Sequence, residues 1–356
     1  MTPSPPPDPA RPRRRRLAGA VLALGLVAAA ACGGDDGDRP AAGATTAADG
    51  EVPPGTVLRV GDQGQGLQLP LELTGQLDDL PYEIEFAQFG SGPLLNEALA
   101  AGAVDVGIMG DTPALLSYAS GLETVVVGVR ESDGPGATLI AAPGSGIESL
   151  EDLEGHRVAY TTGTNQHGFV LRALDSVGLT EDDIEQVDVP LTDVTAVLAS
   201  GEADAAVVYD LFRPAYLAEH PDAVELVTVQ DLAANYVFLV ADRAAAEDPA
   251  KALAIEDLIR RLDAAADEIA EDPEAWVQAY YVERLHQTPE IGRAAHEANG
   301  DSAWVPIDDA VREHQQTQAD LFHEAGFFPE PIDLGPQFDP AITERFSRVV
   351  AEEAGR

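Results

Sequence analysis

From residue 56 onward, short apolar strands alternate with helical stretches, and the alternation starts afresh near residue 137. The first series places strands at Thr56–Val60, Glu83–Gln88, Val104–Met109 and from Val125, with helices near Leu67–Leu77, from Ser91-Gly92-Pro93 and from Thr112-Pro113. The second series places strands at Thr138–Ala142, Arg157–Tyr160, Gln186–Val189, Ala205–Tyr209 and Ala223–Val227, with helices at Asn165–Val177 and Asp193–Ala199. Strands and helices at this spacing form βαβ units, so the chain is α/β with mainly parallel sheets. An eight-residue echo links the series: Leu99-Ala-Ala-Gly-Ala-Val-Asp105-Val106 and Leu198-Ala-Ser-Gly-Glu-Ala-Asp204-Ala205. Each ends a helix on a capping glycine, Gly102 or Gly201, and runs through aspartate into an apolar strand. Two similar lobes follow. A strand at Asn235–Val240 then leads into helical patterns to the C-terminus.

The N-terminus bears on compartment. Arg11–Arg16 holds five arginines, and the small and apolar run Leu17–Ala31 precedes Cys32. A charged region, an apolar core and a small-residue cleavage site make an export signal over 1–31. The run is shorter than the ~20 apolar residues of a membrane span. Cys32 is the single cysteine, and Ala29-Ala30-Ala31-Cys32 resembles the lipobox of bacterial lipoproteins. Lipidation of Cys32 on the outer face of the cell membrane is the expectation, and a plain secretory peptide is the alternative. Residues 32–55, rich in Gly, Ala, Asp and Pro, read as a flexible tether. The formal net charge is −41, which excludes nucleic acid as a partner. No cofactor or metal spacing is present. The sole lysine is Lys251, so an anionic ligand would have to be held by local donors.

Four strand-to-helix turns supply candidate donors: Phe89-Gly90-Ser91-Gly92-Pro93, Gly110-Asp111-Thr112-Pro113, Tyr160–His167 and Tyr209–Pro214. Helix N-termini carry free N–H groups and partial positive charge, and they bind anions. In α/β proteins ligands lie at the carboxyl ends of the strands, where these turns sit. Each turn also fits plain helix capping with no ligand.

The run Phe89–Pro113, together with Gly163–His167, Val208–Phe212, Val305–Asp309 and Gln315–Gly326, resembles the aliphatic sulfonate, taurine and nitrate branch of ABC-transporter solute-binding proteins. The resemblance implies a two-lobed periplasmic-binding-protein type II fold. It puts hinge-linked lobes at 56–136 plus 236–356 and at 137–235, with a helical C-terminal region. It implies capture of a small anionic organic solute, with an ABC permease and ATPase as partners. By position, Ser91, Gly110, Thr112, Thr164 and Asn165 would meet the head group, and Gly92, Thr162 and Gly163 of the same turns would line the ligand cleft. Gln63 and Gln65 match the loop after the first strand. Asp111 stands where glutamate is common in that branch, and Tyr209 where tryptophan is common. Tyr209, Asp210 and Phe212 would form the second-lobe wall, and His167 would cap or wall the site.

Arg130 and Arg213 are the arginines nearest these turns, and either fits a bidentate anion clamp. Among so many acids, an ion pair is the expectation for both. Trp276 and Trp304 read as packing residues. Nitrate-like anions, thiamine-pyrimidine precursors and flavins are the alternative ligands. An enzyme on the same fold is disfavoured, because no G-x-S-x-G, H-E-x-x-H or P-loop is present.

Overall fold

A computed structural model of the protein describes residues 50–353. The expected leader, Cys32 and residues 32–49 of the expected tether lie outside the described residues. Within 50–55 the chain already packs: Val52 is buried in the core, and Thr56 donates its hydroxyl to Pro53 O at 2.7 Å.

Eleven strands are described: β1 (Val57–Gln63), β2 (Glu83–Phe89), β3 (Val106–Gly110), β4 (Thr124–Ser132), β5 (Ala137–Ala141), β6 (Arg157–Tyr160), β7 (Glu185–Asp188), β8 (Ala205–Tyr209), β9 (Val224–Thr228), β10 (Asn235–Asp242) and β11 (Ser302–Val305). They form two sheets, ordered β11-β4-β10-β3-β1-β2 and β7-β6-β8-β5-β9. Apart from β11 the two orders follow one plan.

The sheets are mixed rather than simply parallel. The chain passes from the first sheet to the second between β4 and β5, and returns between β9 and β10. The strand that follows each passage runs antiparallel to both neighbours: β5 between β8 and β9, and β10 between β3 and β4. A chain arriving from the other sheet enters from the opposite end, so its strand must run against the βαβ strands. One further strand lies where helix was expected. β11 is four residues long and pairs antiparallel with β4 at the sheet edge.

The echo is structural. Gly102 and Gly201 both adopt positive φ, +64° and +75°, just past their helices. The aspartate that follows each clasps an arginine on the adjacent strand. Arg59 donates its backbone N–H and its Nε to Asp105 Oδ2 at 2.9 and 3.2 Å, and Nη2 to Oδ1 at 2.5 Å. Arg157 meets Asp204 through the same three donors at 3.0, 3.0 and 2.7 Å. Fork-to-fork pairing of this kind fixes register as well as charge. The first clasp has an extra partner, Lys251 Nζ at 2.8 Å from Asp105.

Central strands are apolar on both faces, as buried strands must be. Val125, Val126, Val127 and Val129 of β4 and Leu239 and Val240 of β10 are each fully buried. The long helix Pro249–Glu271 lays Ile255, Leu258, Ile259 and Leu262 against Leu58 and Val60 of β1. The second sheet has its own core around Leu139, Val158, Tyr160 and Val207. Among the described residues no helix is long and apolar enough to cross a membrane.

Candidate functional site

A cavity of about 610 Å³ opens between residues of the two sheets. Such a volume lies within the ~300–1,000 Å³ of sites that enclose organic ligands. Asp111, Arg130, Tyr236 and His314 line it from the first sheet and its helices, and Asn165, Arg172 and Tyr209 from the second.

Three expected site residues line this cavity: Asp111, Asn165 and Tyr209. Tyr209 donates its hydroxyl to Asn165 Oδ1 at 2.7 Å. Gly110 lies against Asn165 across the two halves, and a Cβ at Gly110 would stand 2.7–3.0 Å from its side chain. Gly92 is closed by Pro113 in the same way. Gly163 has a φ of +72° and faces Leu116 and Pro93. Ser91 caps Gly92–Ala100 in extended conformation without a side-chain hydrogen bond, and it does not line the cavity.

Many of the turn donors already have partners inside the protein. Thr161 N donates to Gln166 Oε1 at 2.8 Å and Thr162 N to Asp188 Oδ1 at 2.9 Å. Gly163 N meets His167 Nδ1 at 3.3 Å, and the Thr164 hydroxyl donates to Thr161 O at 2.7 Å. His167 is fully buried, with Nε2 2.9 Å from Glu181 Oε1 and rings of Phe322 and Phe327 edge-on. Thr112 is fully buried, and its N–H donates to Asp111 Oδ1 at 2.5 Å. Gln63 donates to Ile108 O at 2.8 Å. Gln65 takes its N–H to Gln88 and accepts from Arg284 at 2.8 Å. Phe212 packs in the second-sheet core. Carboxylate, amide and imidazole acceptors of the protein itself thus take the N–H groups of Thr161, Thr162, Gly163 and Thr112, because a buried N–H without a partner costs about 1–3 kcal/mol.

The two arginines separate. Arg213 matches the ion-pair expectation: it lies 3.1 Å from Asp210 Oδ1 and 2.8 Å from Glu225 Oε2. Asp210 is itself buried and accepts from Gly136 N at 2.6 Å. Arg130 departs from it. Its Nη2 donates to Ser302 Oγ, and its guanidinium sits 5.8 Å from the centre of the Trp304 ring. Among the described residues no carboxylate lies within ion-pair distance of it. Burial pushes its pKa down, partly offset by Asp263 at longer range, yet a guanidinium stays charged. Arg130 thus brings a positive charge and free N–H donors to the cavity wall.

Three carboxylates also line the cavity, Asp111, Asp267 and Asp301, and Asp111 is paired locally. Burial alone would raise its pKa, but the hydrogen bond from His314, the nearby charges of His314 and Arg172, and the Thr112 amide hold it below the usual carboxylate range. His314 Nε2 is 3.2 Å from Asp111 Oδ2. Arg172 donates to Gln318 Oε1 at 2.5 Å and to His314 O at 3.0 Å, tying the second-sheet helix Asn165–Asp175 to the first-sheet helix Asp309–Glu324.

Two of the aromatic residues on the cavity wall, Tyr280 and Tyr281, are not among the expected ones. Trp276, Tyr280 and Tyr281 line the cavity from the π-helix Val277–Arg284 and the turn before it. Trp276 packs half-buried against the small cluster of Val277, Tyr281 and Ala295 and also lines the cavity, whereas Trp304 is buried behind Arg130. Among the described residues no group of His, Cys, Asp and Glu is placed to hold a metal ion.

Two sheets of one strand plan, joined by paired crossings and facing a shared cavity, define a bilobed solute-binding architecture. The chain belongs to the NMT1/THI5-like family, whose sequence pattern matches residues 83–276. A sequence from Escherichia coli (strain K12) named for binding aliphatic sulfonates is 28% identical over 280 residues, 78% of this chain and 86% of that one. The structure is similar to the periplasmic aliphatic sulphonate binding protein of Escherichia coli, with TM-score 0.71 and 27% identity, covering 79% of this chain and 91% of that one. It shares its fold with the alkanesulfonate-binding protein of Xanthomonas axonopodis pv. citri bound to MOPS, with TM-score 0.71 and 24% identity, covering 80% and 98%. The fold is that of periplasmic binding proteins.

Proposed function

We propose that the protein is the extracytoplasmic solute-binding component of an ABC importer and that it captures an organic sulfonate between its two lobes. Arg130 carries this reading. A half-buried guanidinium on a cavity wall, with no carboxylate partner among the described residues, is costly unless something anionic completes it. A sulfonate offers oxygen acceptors to a planar fork of N–H donors. Similarity to sulfonate-binding relatives supports the same ligand class. The moving bodies are residues 56–136 with 236–356, and residues 137–235, closing by hinge motion as other binding proteins of this architecture do. Anchoring through a lipid on Cys32 would hold the protein beside its permease; Cys32→Ser should then release it into the medium.

Isothermal titration of the purified protein with ethanesulfonate, hexanesulfonate, taurine, nitrate, a pyrimidine, a flavin and choline tests the ligand class. The expected result is heat with a sulfonate at micromolar Kd, about −8 kcal/mol. Heat only with a heterocycle or with choline would overturn it.

A further inference from the structure

The head group accounts for part of the cavity wall, and another part is aromatic. Trp276 and Tyr280 stack with ring centroids 4.7 Å apart and planes 8° from parallel. Tyr281 meets Tyr280 edge-on at 5.1 Å. In an α-helix Tyr281 would point roughly 140° round the axis from Trp276. The wider turn of a π-helix, with its i→i+5 bonding, cuts that separation, so both tyrosines lie toward the side of Trp276. The π-helix is thus what gathers three rings on one wall, and π segments concentrate at functional sites.

The wall is held from behind. Gly292 leaves room for the helix Pro289–Asn299 against Tyr281, where a Cβ would stand 2.8 Å from Tyr281 Cβ. Arg284, at the last position of the π-helix, donates to Gln65 Oε1 at 2.8 Å and pins it to the loop after β1. Gly64 of that loop has a φ of +64° and lies under the Tyr280 hydroxyl. Leu262, Ala266 and Ile269 continue the surface as an apolar floor. A short alkyl sulfonate would leave most of 610 Å³ to water. A planar ring would cover the aromatic faces with offset or edge contacts, which adds to area burial.

We infer that the natural ligand is an aromatic anion of arenesulfonate type, its ring against Trp276 and Tyr280, which Tyr281 backs, and its head group on Arg130. This inference rests on the sulfonate reading and specifies the other end of the same molecule.

Titration of the purified protein with benzenesulfonate, 2-naphthalenesulfonate, hexanesulfonate and choline tests it, with intrinsic tryptophan fluorescence read alongside. The expected order is naphthalene over benzene over hexane, with the six-carbon ring at least about tenfold tighter than the six-carbon chain. Trp276→Ala and, as a milder change, Tyr280→Leu should lower arenesulfonate affinity by about tenfold and hexanesulfonate affinity by less than about threefold. Hexanesulfonate binding as tightly as benzenesulfonate would overturn the aromatic subsite and leave the sulfonate reading standing. No binding of any sulfonate, or tighter binding of choline through cation–π contacts, would overturn both.

Discussion

Arg130 on β4 and Arg213 at the start of the helix Arg213–Glu219 belong to different sheets, and both lie beside the strand-to-helix turns. In sequence they look alike. In the structure Arg213 is held by Asp210 and Glu225, while Arg130 has a serine and an indole ring. Proximity to a cleft therefore does not make an arginine a ligand-binding group; the missing counter-charge does. Arg213 braces the second lobe, and Arg130 is left for the ligand.

The widest separation should come from replacing each arginine. Arg130→Ala is expected to lower sulfonate affinity by about 100-fold, roughly 2.7 kcal/mol, in line with charge-assisted hydrogen bonds. Its melting temperature without ligand should not fall. Arg130→Lys keeps the charge but loses the fork, and should recover only part of the affinity. Calorimetry and thermal melts read both.

Arg213→Ala should do the reverse. It strands a buried Asp210 carboxylate, and a loss of about 2 kcal/mol in urea unfolding is expected. That is below the ~3–5 of a fully buried pair, because Arg213 keeps some solvent contact. Ligand affinity should change by less than threefold. A large loss of binding here would erase the distinction between the two arginines.

A third change probes closure instead of charge. A Cβ at Gly168 would meet Gln318 Nε2 and Thr112 Oγ1 across the two halves. Gly168→Ala should hold the lobes apart and weaken binding by about tenfold, on the order of 1.4 kcal/mol. Small-angle scattering with and without ligand would show the reduced compaction.

The smallest effect is one of sign. Burial holds the Asp210 pKa above its ordinary value, against the pull of Arg213. The folded state then binds the proton more tightly than the unfolded chain. Stability from this group is complete below the ordinary carboxylate pKa and is lost as pH rises through the raised value. Asp204 is the opposite: the hydrogen bond from Arg157 lowers its pKa. Its contribution is present above the ordinary value and is lost as pH falls through the lowered one. In urea unfolding between pH 7 and 3, wild type should gain on Asp210→Asn and lose ground to Asp204→Asn.

Much of the fold was legible because short apolar runs were bounded by glycine, aspartate and proline. β6 and β8 match their expected limits, and the helix from Asn165 starts where its turn residues put it. β5 and β10 were found as strands, but their direction depends on which sheet the chain has just left, a long-range fact. β11 is four residues at an edge within a helical stretch and leaves little periodic signal. The cleft was legible as a set of turns. Which donors are taken was not, because several partners come from other elements of the same lobe: Asp188 for Thr162, Glu181 for His167, Gln88 for Gln65. With 62 acidic residues in the chain, an unpaired arginine is the less expected outcome. The aromatic wall was hidden because α-helical spacing separates Tyr281 from Trp276, and π register leaves no mark in composition.

A crystal structure of the protein grown with an arenesulfonate tests the central claim most directly. The account predicts sulfonate oxygens within about 3 Å of the Arg130 guanidinium nitrogens. A sulfonate seated instead on the turn at 161–165, with Arg130 turned away against a carboxylate, would contradict it.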